Sequence, residues 1–193
     1  MSAIEFTHRA IIVEDDRVNR EIMQEILEAA GFEVRATDDG FEALVILRGA
    51  PPDVLISDLE MPKMSGFELL SIVRRRFPRI GVVVVSGAFR AGGPPWVLAD
   101  SFVSKPFRPQ ELLDAVAYVV KVSPIRSEVA KAENAPIWIP RQAPGYYVIT
   151  CTDCLRSFPI SPGSHSTARE GEVECLNCSV SLRYVIGPKN RSN

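Results

Sequence analysis

Acidic, hydroxyl and ammonium side chains follow four short apolar runs in the first two-thirds of the chain. They lie in the segments Glu14-Asp15-Asp16, Ser57-Asp58-Leu59-Glu60, Ser86-Gly87 and Ser104-Lys105-Pro106. Gathered carboxylates repel one another unless a cation neutralises them, and hard oxygen ligands of this kind suit Mg²⁺. A hydroxyl and a lysine nearby would stabilise the oxygens of a phosphoryl group, and a carboxylate can act there as the nucleophile. Together these segments predict a magnesium-dependent phosphoryl site.

The four cysteines form a second set with a different chemistry. Cys151 and Cys154 make one C-x-x-C pair, Cys175 and Cys178 make another, and 20 residues separate the two pairs. This spacing predicts a four-cysteine zinc site, and disulfides are disfavoured if the chain stays in a reducing cytosol. Iron in a rubredoxin-like site and a set of free or redox-active thiols are the alternatives.

The apolar runs before the acidic segments have the length and composition of buried strands. Continuous runs at 10–13, 54–56 and 80–85 are rich in β-branched residues, residues 32–36 alternate, and 101–104 is a weaker candidate. Runs of this kind suit a parallel sheet covered on both faces. We therefore predict an α/β fold with a doubly wound sheet of five parallel strands, whose carboxyl ends meet at one ligand-binding edge.

Helical patterns with recognisable ends alternate with these runs. The first carries an apolar stripe from Val18 to Ala29 and stops at Gly31. A second is predicted over about 40–48 with Asp38 or Asp39 near its cap, and a third starts near Ser65 with Glu68 three residues on, a capping-box pattern. The last starts at Pro109 and carries Leu112, Val116 and Val119 on one face.

Prolines divide the chain into two regions. Prolines 124, 136, 140 and 144 lie in a stretch without sustained periodicity. We predict a first domain over 1–122, a proline-containing linker over 123–145, a small module over 146–187 and a disordered tail over 188–193. Within the module, strand-like sequence flanks the cysteine pairs at 146–150 and 180–186, and 159–166 is loop-like.

Charge and hydropathy exclude several classes of protein. Basic and acidic residues number 22 and 24, a balance that argues against a chain built mainly to coat nucleic acid. We find neither an apolar run long enough to cross a bilayer nor the pattern of a secretory signal, so we expect no membrane insertion and a cytoplasmic location.

The order of these motifs resembles the receiver domains of bacterial two-component response regulators, over about residues 9–121. The VEDD run is similar to the family's acidic pair, SDLEMPKMSG to its phosphoacceptor loop and KPF to its lysine motif. The resemblance implies a flavodoxin-like fold and phosphorylation by a sensor histidine kinase or a phosphotransfer protein. It also implies functional positions at Glu14, Asp15, Asp58 (phosphoacceptor), Glu60 (Mg²⁺ through its backbone carbonyl), Ser86 (hydroxyl and switch), Phe102 (aromatic switch) and Lys105.

One departure concerns the segment between the fourth and fifth strands. Ser86 and Lys105 are 19 positions apart, about three fewer than the family leads us to expect, and 87–96 is rich in Gly and Pro. The helix expected there should be short, displaced or missing. Such a regulator would signal through another face, with Trp96 as a candidate contact.

The cysteine-containing tail resembles a zinc ribbon. It departs from many ribbons in carrying Leu155 and Ser179, rather than glycine, after the second cysteine of each pair. His165 is expected to be solvated, because four thiolates complete a tetrahedron. We expect the tail to dock a downstream protein and do not expect an enzyme. Nucleic-acid binding is the less favoured alternative, resting on Tyr146, Tyr147 and scattered arginines and lysines.

Overall fold

A computed structural model of the chain describes residues 8–87, 99–126, 136–141, 147–160 and 170–189. Its larger part is a five-stranded parallel sheet in the order β2-β1-β3-β4-β5. The strands are β1 (His8–Val13), β2 (Phe32–Thr37), β3 (Val54–Ser57), β4 (Gly81–Ser86) and β5 (Ser101–Ser104). The helices are α1 (Arg17–Ala29), α2 (Gly40–Gly49), α3 (Gly66–Arg76) and α4 (Pro109–Arg126). The predicted α/β fold is confirmed.

Helices cover both faces of the sheet, which explains the uninterrupted apolar strands. Every residue of β3 and β4 is buried, whereas β2 alternates at one edge. One core cluster joins a face of the sheet to α2 and α3 through residues such as Leu47 and Leu69. The other joins the opposite face to α1 and α4 through Leu27, Val116 and Val119.

Predicted helix ends recur in the structure. Asp39 rather than Asp38 caps α2, accepting a hydrogen bond from the backbone N–H of Phe41. Ser65 caps α3, and Gly31 has a φ of 88° just past the end of α1. The predicted helix between β4 and β5, and Trp96 with it, fall in 88–98, outside the described residues.

The C-terminal part contains five more strands in two small sheets. They are β6 (Ile137–Arg141), β7 (Tyr147–Thr150), β8 (Ser157–Ile160), β9 (Glu170–Glu174) and β10 (Ser181–Lys189). Strand β10 lies between β6, to which it runs parallel, and β9, to which it runs antiparallel. Strands β7 and β8 form an antiparallel hairpin.

This arrangement corrects three predictions. The linker predicted over 123–145 contains the end of α4 and all of β6, whose Ile137 and Ile139 are buried in the third core cluster. The loop predicted from residue 159 starts too early, because Pro159 lies in β8 and pairs with Val148. Proline is tolerated at both places because β6 and β8 are edge strands. Residues 188 and 189, predicted to be disordered, belong to β10. Among the described helices, none is long and apolar enough to span a membrane.

Candidate functional site

Two carboxylates and a lysine from three strand ends meet at the carboxyl edge of the sheet. Glu14 follows β1, Asp58 follows β3 and Lys105 follows β5. The Nζ atom of Lys105 lies 2.6 Å from Oε2 of Glu14 and 2.7 Å from Oδ2 of Asp58. The lysine therefore bridges two of the acids that the sequence singled out.

Burial makes this cluster electrostatically demanding. Glu14 is 1% exposed, and desolvation raises the pKa of its carboxyl, although the hydrogen bond from Lys105 opposes the rise. Desolvation also opposes the charge on Lys105, but its hydrogen bonds to Asp58 and Glu14 outweigh that cost and raise the pKa of the ammonium. The Oε1 atom of Glu14 has no hydrogen-bond partner among the residues that the structure describes.

The same edge has the donors of a hard-cation site. Glu14, Asp15 and Asp58 each offer a carboxylate oxygen, and these oxygens lie within 4.8 Å of one another. An orphaned buried oxygen on Glu14 and an excess of carboxylate over ammonium both fit a divalent cation with oxygen ligands. The residues present therefore fit the predicted magnesium ion.

The loop after β3 fixes the Asp58 carboxylate through backbone hydrogen bonds. Oδ1 of Asp58 accepts hydrogen bonds from the backbone N–H groups of Leu59, at 2.5 Å, and Glu60, at 3.2 Å. The start of α3 presses on this loop, since a Cβ at Gly66 would lie 1.8 Å from the Asp58 carbonyl oxygen. Only glycine permits that approach. Backbone N–H groups of the loop therefore bind one carboxylate oxygen of Asp58, and Lys105 binds the other.

Ser86 and Phe102 lie on the neighbouring strands. Ser86 ends β4, is fully buried, and accepts a hydrogen bond on its carbonyl oxygen from the Lys105 N–H. Phe102 of β5 pairs with Val84 of β4 and is half-buried against the core cluster on the α2–α3 face. Ser86 thus lies beside the strand end that carries Lys105, and Phe102 lies within that strand, three residues before the lysine.

Sequence reasoning missed a supporting residue on α1. Nη1 of Arg20 donates hydrogen bonds to the carbonyl oxygens of Glu14, at 2.5 Å, and Asp15, at 3.2 Å. The guanidinium therefore fixes the backbone of the acidic pair from outside. Its spacing of six residues from Glu14 was the available signal, but an arginine on an exposed helix usually indicates only solvation.

The family follows from comparison of the sequence with known proteins. The profile of the response regulator receiver domain matches residues 10–117, more than half of the chain. The chain belongs to this family. The matched residues include nearly all of the five-stranded sheet, the start of each of the four helices and the whole acidic cluster.

Characterised relatives align with the receiver. Response regulator protein FleR of Pseudomonas aeruginosa is 34% identical over 118 residues, covering 56% of this chain and 24% of FleR. Protein PilG of the same species is 26% identical over 123 residues, covering 61% of this chain and 91% of PilG. The chain spans only about a quarter of FleR and of NtrC of Klebsiella pneumoniae.

Solved structures agree with the fold. Chemotaxis response regulator CheY4 of Vibrio cholerae is 31% identical and superposes with a TM-score of 0.54, covering 57% of this chain and 97% of CheY4. A CheY-like receiver domain protein from Methanospirillum hungatei is 25% identical with a TM-score of 0.56, covering 61% of this chain and 96% of that protein. The receiver thus has the flavodoxin-like CheY fold.

The four cysteines form a second cluster. The Sγ atoms of Cys151 and Cys178 lie 3.6 Å apart, as do those of Cys154 and Cys175, too far for disulfide bonds. A tetrahedral zinc ion with bonds of about 2.3 Å would set its sulfurs about 3.8 Å apart. The donor set and its spacing therefore fit the predicted metal.

The two cysteine loops have the same backbone design. The N–H of Asp153 points to Sγ of Cys151 and the N–H of Asn177 to Sγ of Cys175, each at 3.4 Å. Burial opposes ionisation of Cys175, but the N–H groups of Asn177 and Cys178 and the neighbouring thiols lower its pKa to about 6, whereas burial raises the pKa of Cys151 to about 12. Deprotonated sulfur at neutral pH is the form that binds metal.

The residue after each pair adopts the backbone conformation that glycine usually supplies. Leu155 has a φ of 57° and Ser179 a φ of 59°. Each donates its N–H to the carbonyl oxygen of the first cysteine of its pair, at 3.0 and 2.9 Å. The missing glycines therefore leave the geometry of the loops intact, at the expense of backbone strain.

Proposed function

We propose that this protein is a phosphorylation-dependent response regulator that accepts a phosphoryl group on Asp58 from a sensor histidine kinase or a phosphotransfer protein. The observation that carries the proposal is the bridge from Lys105 to Glu14 and Asp58 at the sheet edge. An oxygen of Asp58 would attack the phosphorus of a phosphohistidine. The phosphorus–oxygen bond forms as the phosphorus–nitrogen bond breaks, and the imidazole leaves with the electron pair.

The surrounding side chains have distinct parts in this transfer. Lys105 would hold the charge that develops on the phosphoryl oxygens, because its ammonium already lies beside the attacking carboxylate. Carboxylates of Glu14, Asp15 and Asp58, with the backbone carbonyl of Glu60, would hold Mg²⁺. When bound, the ion neutralises charge on the incoming phosphoryl group.

Ser86 would report the modification to the rest of the receiver. Its position at the end of β4, next to the Lys105 strand, would allow the hydroxyl to reach the phosphoryl group and draw its loop inward. Phe102, on the adjacent strand, would follow that movement. The proposal gives the chain no substrate turnover of its own beyond this self-modification.

Labelling from a small phosphodonor tests the acceptor. Asp58→Asn should abolish the alkali-labile label, whereas the matched variant Asp38→Asn, at an exposed loop position beyond the site, should retain it. Retention of wild-type labelling in Asp58→Asn would refute the acceptor assignment.

For the tail, we propose a structural zinc ion held by the four cysteines. The thiolate spacing and the paired N–H donors support zinc, and iron with the same ligands is the alternative. Metal analysis of the purified chain should give one zinc per chain and no visible absorbance. Cys178→Ser should lose the metal, and a coloured, iron-containing protein would favour the rubredoxin-like reading.

We further propose that the tail docks a protein partner. Among the described strands, Arg183 of β10 pairs with Glu172 of β9, and two more glutamates flank Glu172 on that strand. Acidic neighbours reduce the attraction of the described basic residues for phosphates, so the nucleic-acid alternative is less supported. Binding to DNA or RNA that weakens steeply with salt would overturn this assignment.

A further inference from the structure

Helix α3 is buried even on the face whose polar residues predict exposure to water. Polar residues recur on it every three positions at Glu68, Ser71 and Arg74, a stripe typical of a solvated face. Their exposures are only 5%, 7% and 9%, and every residue from Gly66 to Arg74 is buried. The C-terminal strands provide much of this cover, because β6 lies against the helix and β7 reaches it through Thr150.

Two backbone donors of the C-terminal module, which includes β6, bind side chains of this stripe. The N–H of Thr150 donates to Oε1 of Glu68 at 2.8 Å, and the N–H of Trp138 donates to Oγ of Ser71 at 3.3 Å. The ring of Trp138 also packs on Phe67, with centroids 4.6 Å apart. Polar and apolar contacts therefore fix the module on the first two turns of α3.

The Glu68 contact lies one residue from the cysteine cluster. Thr150 is the last residue of β7 and immediately precedes Cys151. Its hydroxyl is 2.9 Å from that of Ser157 on β8, so both strands of the hairpin share the contact. A shift of Glu68 would therefore act directly on the base of the first cysteine loop.

The same turn of α3 reaches the phosphoacceptor in the other direction. The N–H of Gly66 donates to the carbonyl oxygen of Leu59 at 3.1 Å, and the missing Cβ of Gly66 allows contact with the Asp58 backbone. Ser65 caps the helix by accepting from the Glu68 N–H at 3.3 Å. Only one helical turn therefore separates the phosphoacceptor loop from the residue that binds the module.

We infer that α3 is the output surface of this receiver, and that phosphorylation of Asp58 is coupled through Glu68 and Ser71 to the stability of the docked cysteine module. The inference rests on the proposed phosphorylation of Asp58. Because the helix is packed between the sheet and the module, a displacement at its start changes contacts on both sides. Linkage is reciprocal, so the docked module also biases the phosphoacceptor loop.

Hydrogen exchange on the full chain, with zinc bound, tests the coupling. Mg²⁺ and beryllofluoride serve as the phosphoryl mimic, and fluorine NMR reports whether the mimic is bound. In the wild type, binding should change the exchange rate of the Thr150 and Trp138 amides by at least about fivefold, while amides of β2 stay constant. In Glu68→Ala and in Ser71→Ala the change should fall below about twofold.

Matched controls separate the possible failures. Glu25→Ala removes an exposed glutamate from α1 and should behave as the wild type. A bound mimic without altered exchange at Thr150 and Trp138 would refute the coupling while leaving the phosphorylation site intact. Failure of the mimic to bind would refute the phosphorylation site and the coupling together. An undiminished response in both α3 variants would show that the signal does not pass through these two side chains.

Discussion

Replacing Glu68 by glutamine should change how the stability of the protein depends on pH. Burial of the side chain raises the pKa of Glu68 from 4.5 to about 7, although hydrogen bonds from Thr150 oppose the rise. A raised pKa means that folding favours the protonated acid. Its contribution to stability is therefore complete below about pH 4.5 and is lost as the pH rises through about 7.

The size of the effect follows from that shift. Each pKa unit corresponds to about 1.4 kcal/mol, so ionisation of Glu68 removes about 3 kcal/mol between acidic and mildly alkaline solution. Roughly 1 kcal/mol of this loss falls between about pH 6 and pH 8, the window in which the fold and its zinc site can be studied. Glutamine keeps an oxygen to accept the Thr150 N–H but carries no charge.

Urea unfolding of the zinc-loaded full chain at several pH values measures the difference directly. The free energy of unfolding of Glu68→Gln, relative to the wild type, should increase by about 1 kcal/mol from about pH 6 to pH 8. The other titrating groups are common to both proteins and cancel. Glu25→Gln, at an exposed position on α1, should show no such trend. Parallel curves for Glu68→Gln and the wild type would refute the buried, docked position of Glu68.

Three further predictions concern the backbone and the acidic cluster. Ser179→Gly should stabilise the zinc-loaded module by about 1 kcal/mol in thermal unfolding, because glycine adopts the left-handed backbone conformation without strain. Leu155→Gly should lose that gain, because the Leu155 side chain packs on the receiver core. Equal gains in the two variants would contradict this packing. Gly66→Ala should lower the free energy of unfolding, measured in urea, by about 3 kcal/mol or more. Gly49→Ala, with open space around its Cβ, should be neutral or stabilising. A tolerated Gly66→Ala would disprove the close approach at the phosphoacceptor loop. Without added Mg²⁺, Lys105→Met should lower the free energy of unfolding in urea by about 3 kcal/mol, because it leaves the carboxylates of Glu14 and Asp58 unpaired. Added Mg²⁺ should restore part of this loss. A variant as stable as the wild type would show that the bridge is not formed in solution.

The receiver fold and its site could be predicted because both follow from local patterns in the sequence. Continuous apolar runs marked the strands, and the polar residues directly after them had to meet at one edge of a parallel sheet. Glu14, Asp58 and Lys105 are 44 or more positions apart in the chain, yet topology alone brought them together.

The docking of the tail left no comparable local pattern. A glutamate three residues after Ser65 predicts a capping box, and the helix does start there, but the Glu68 carboxylate accepts the Thr150 N–H across 82 positions of sequence. Strand β6 was missed for a similar reason, since its proline content indicates a linker and its partner β10 lies at the far end of the module. Tertiary contacts that bury polar residues cannot be read from the periodicity of one segment.

The parallel pairing of β6 with β10 also has a consequence for metal affinity. Ile137 and Ile139 pair with Tyr184 and Ile186, so the sheet joins the chain on either side of both cysteine pairs. This pairing confines the thiolates to a small volume before any metal arrives, and most of the loop-closure entropy is then already lost. The sheet therefore acts as a preorganised chelator backbone. A fragment that begins after β6 would retain all four ligands and still bind zinc more weakly than the full chain does.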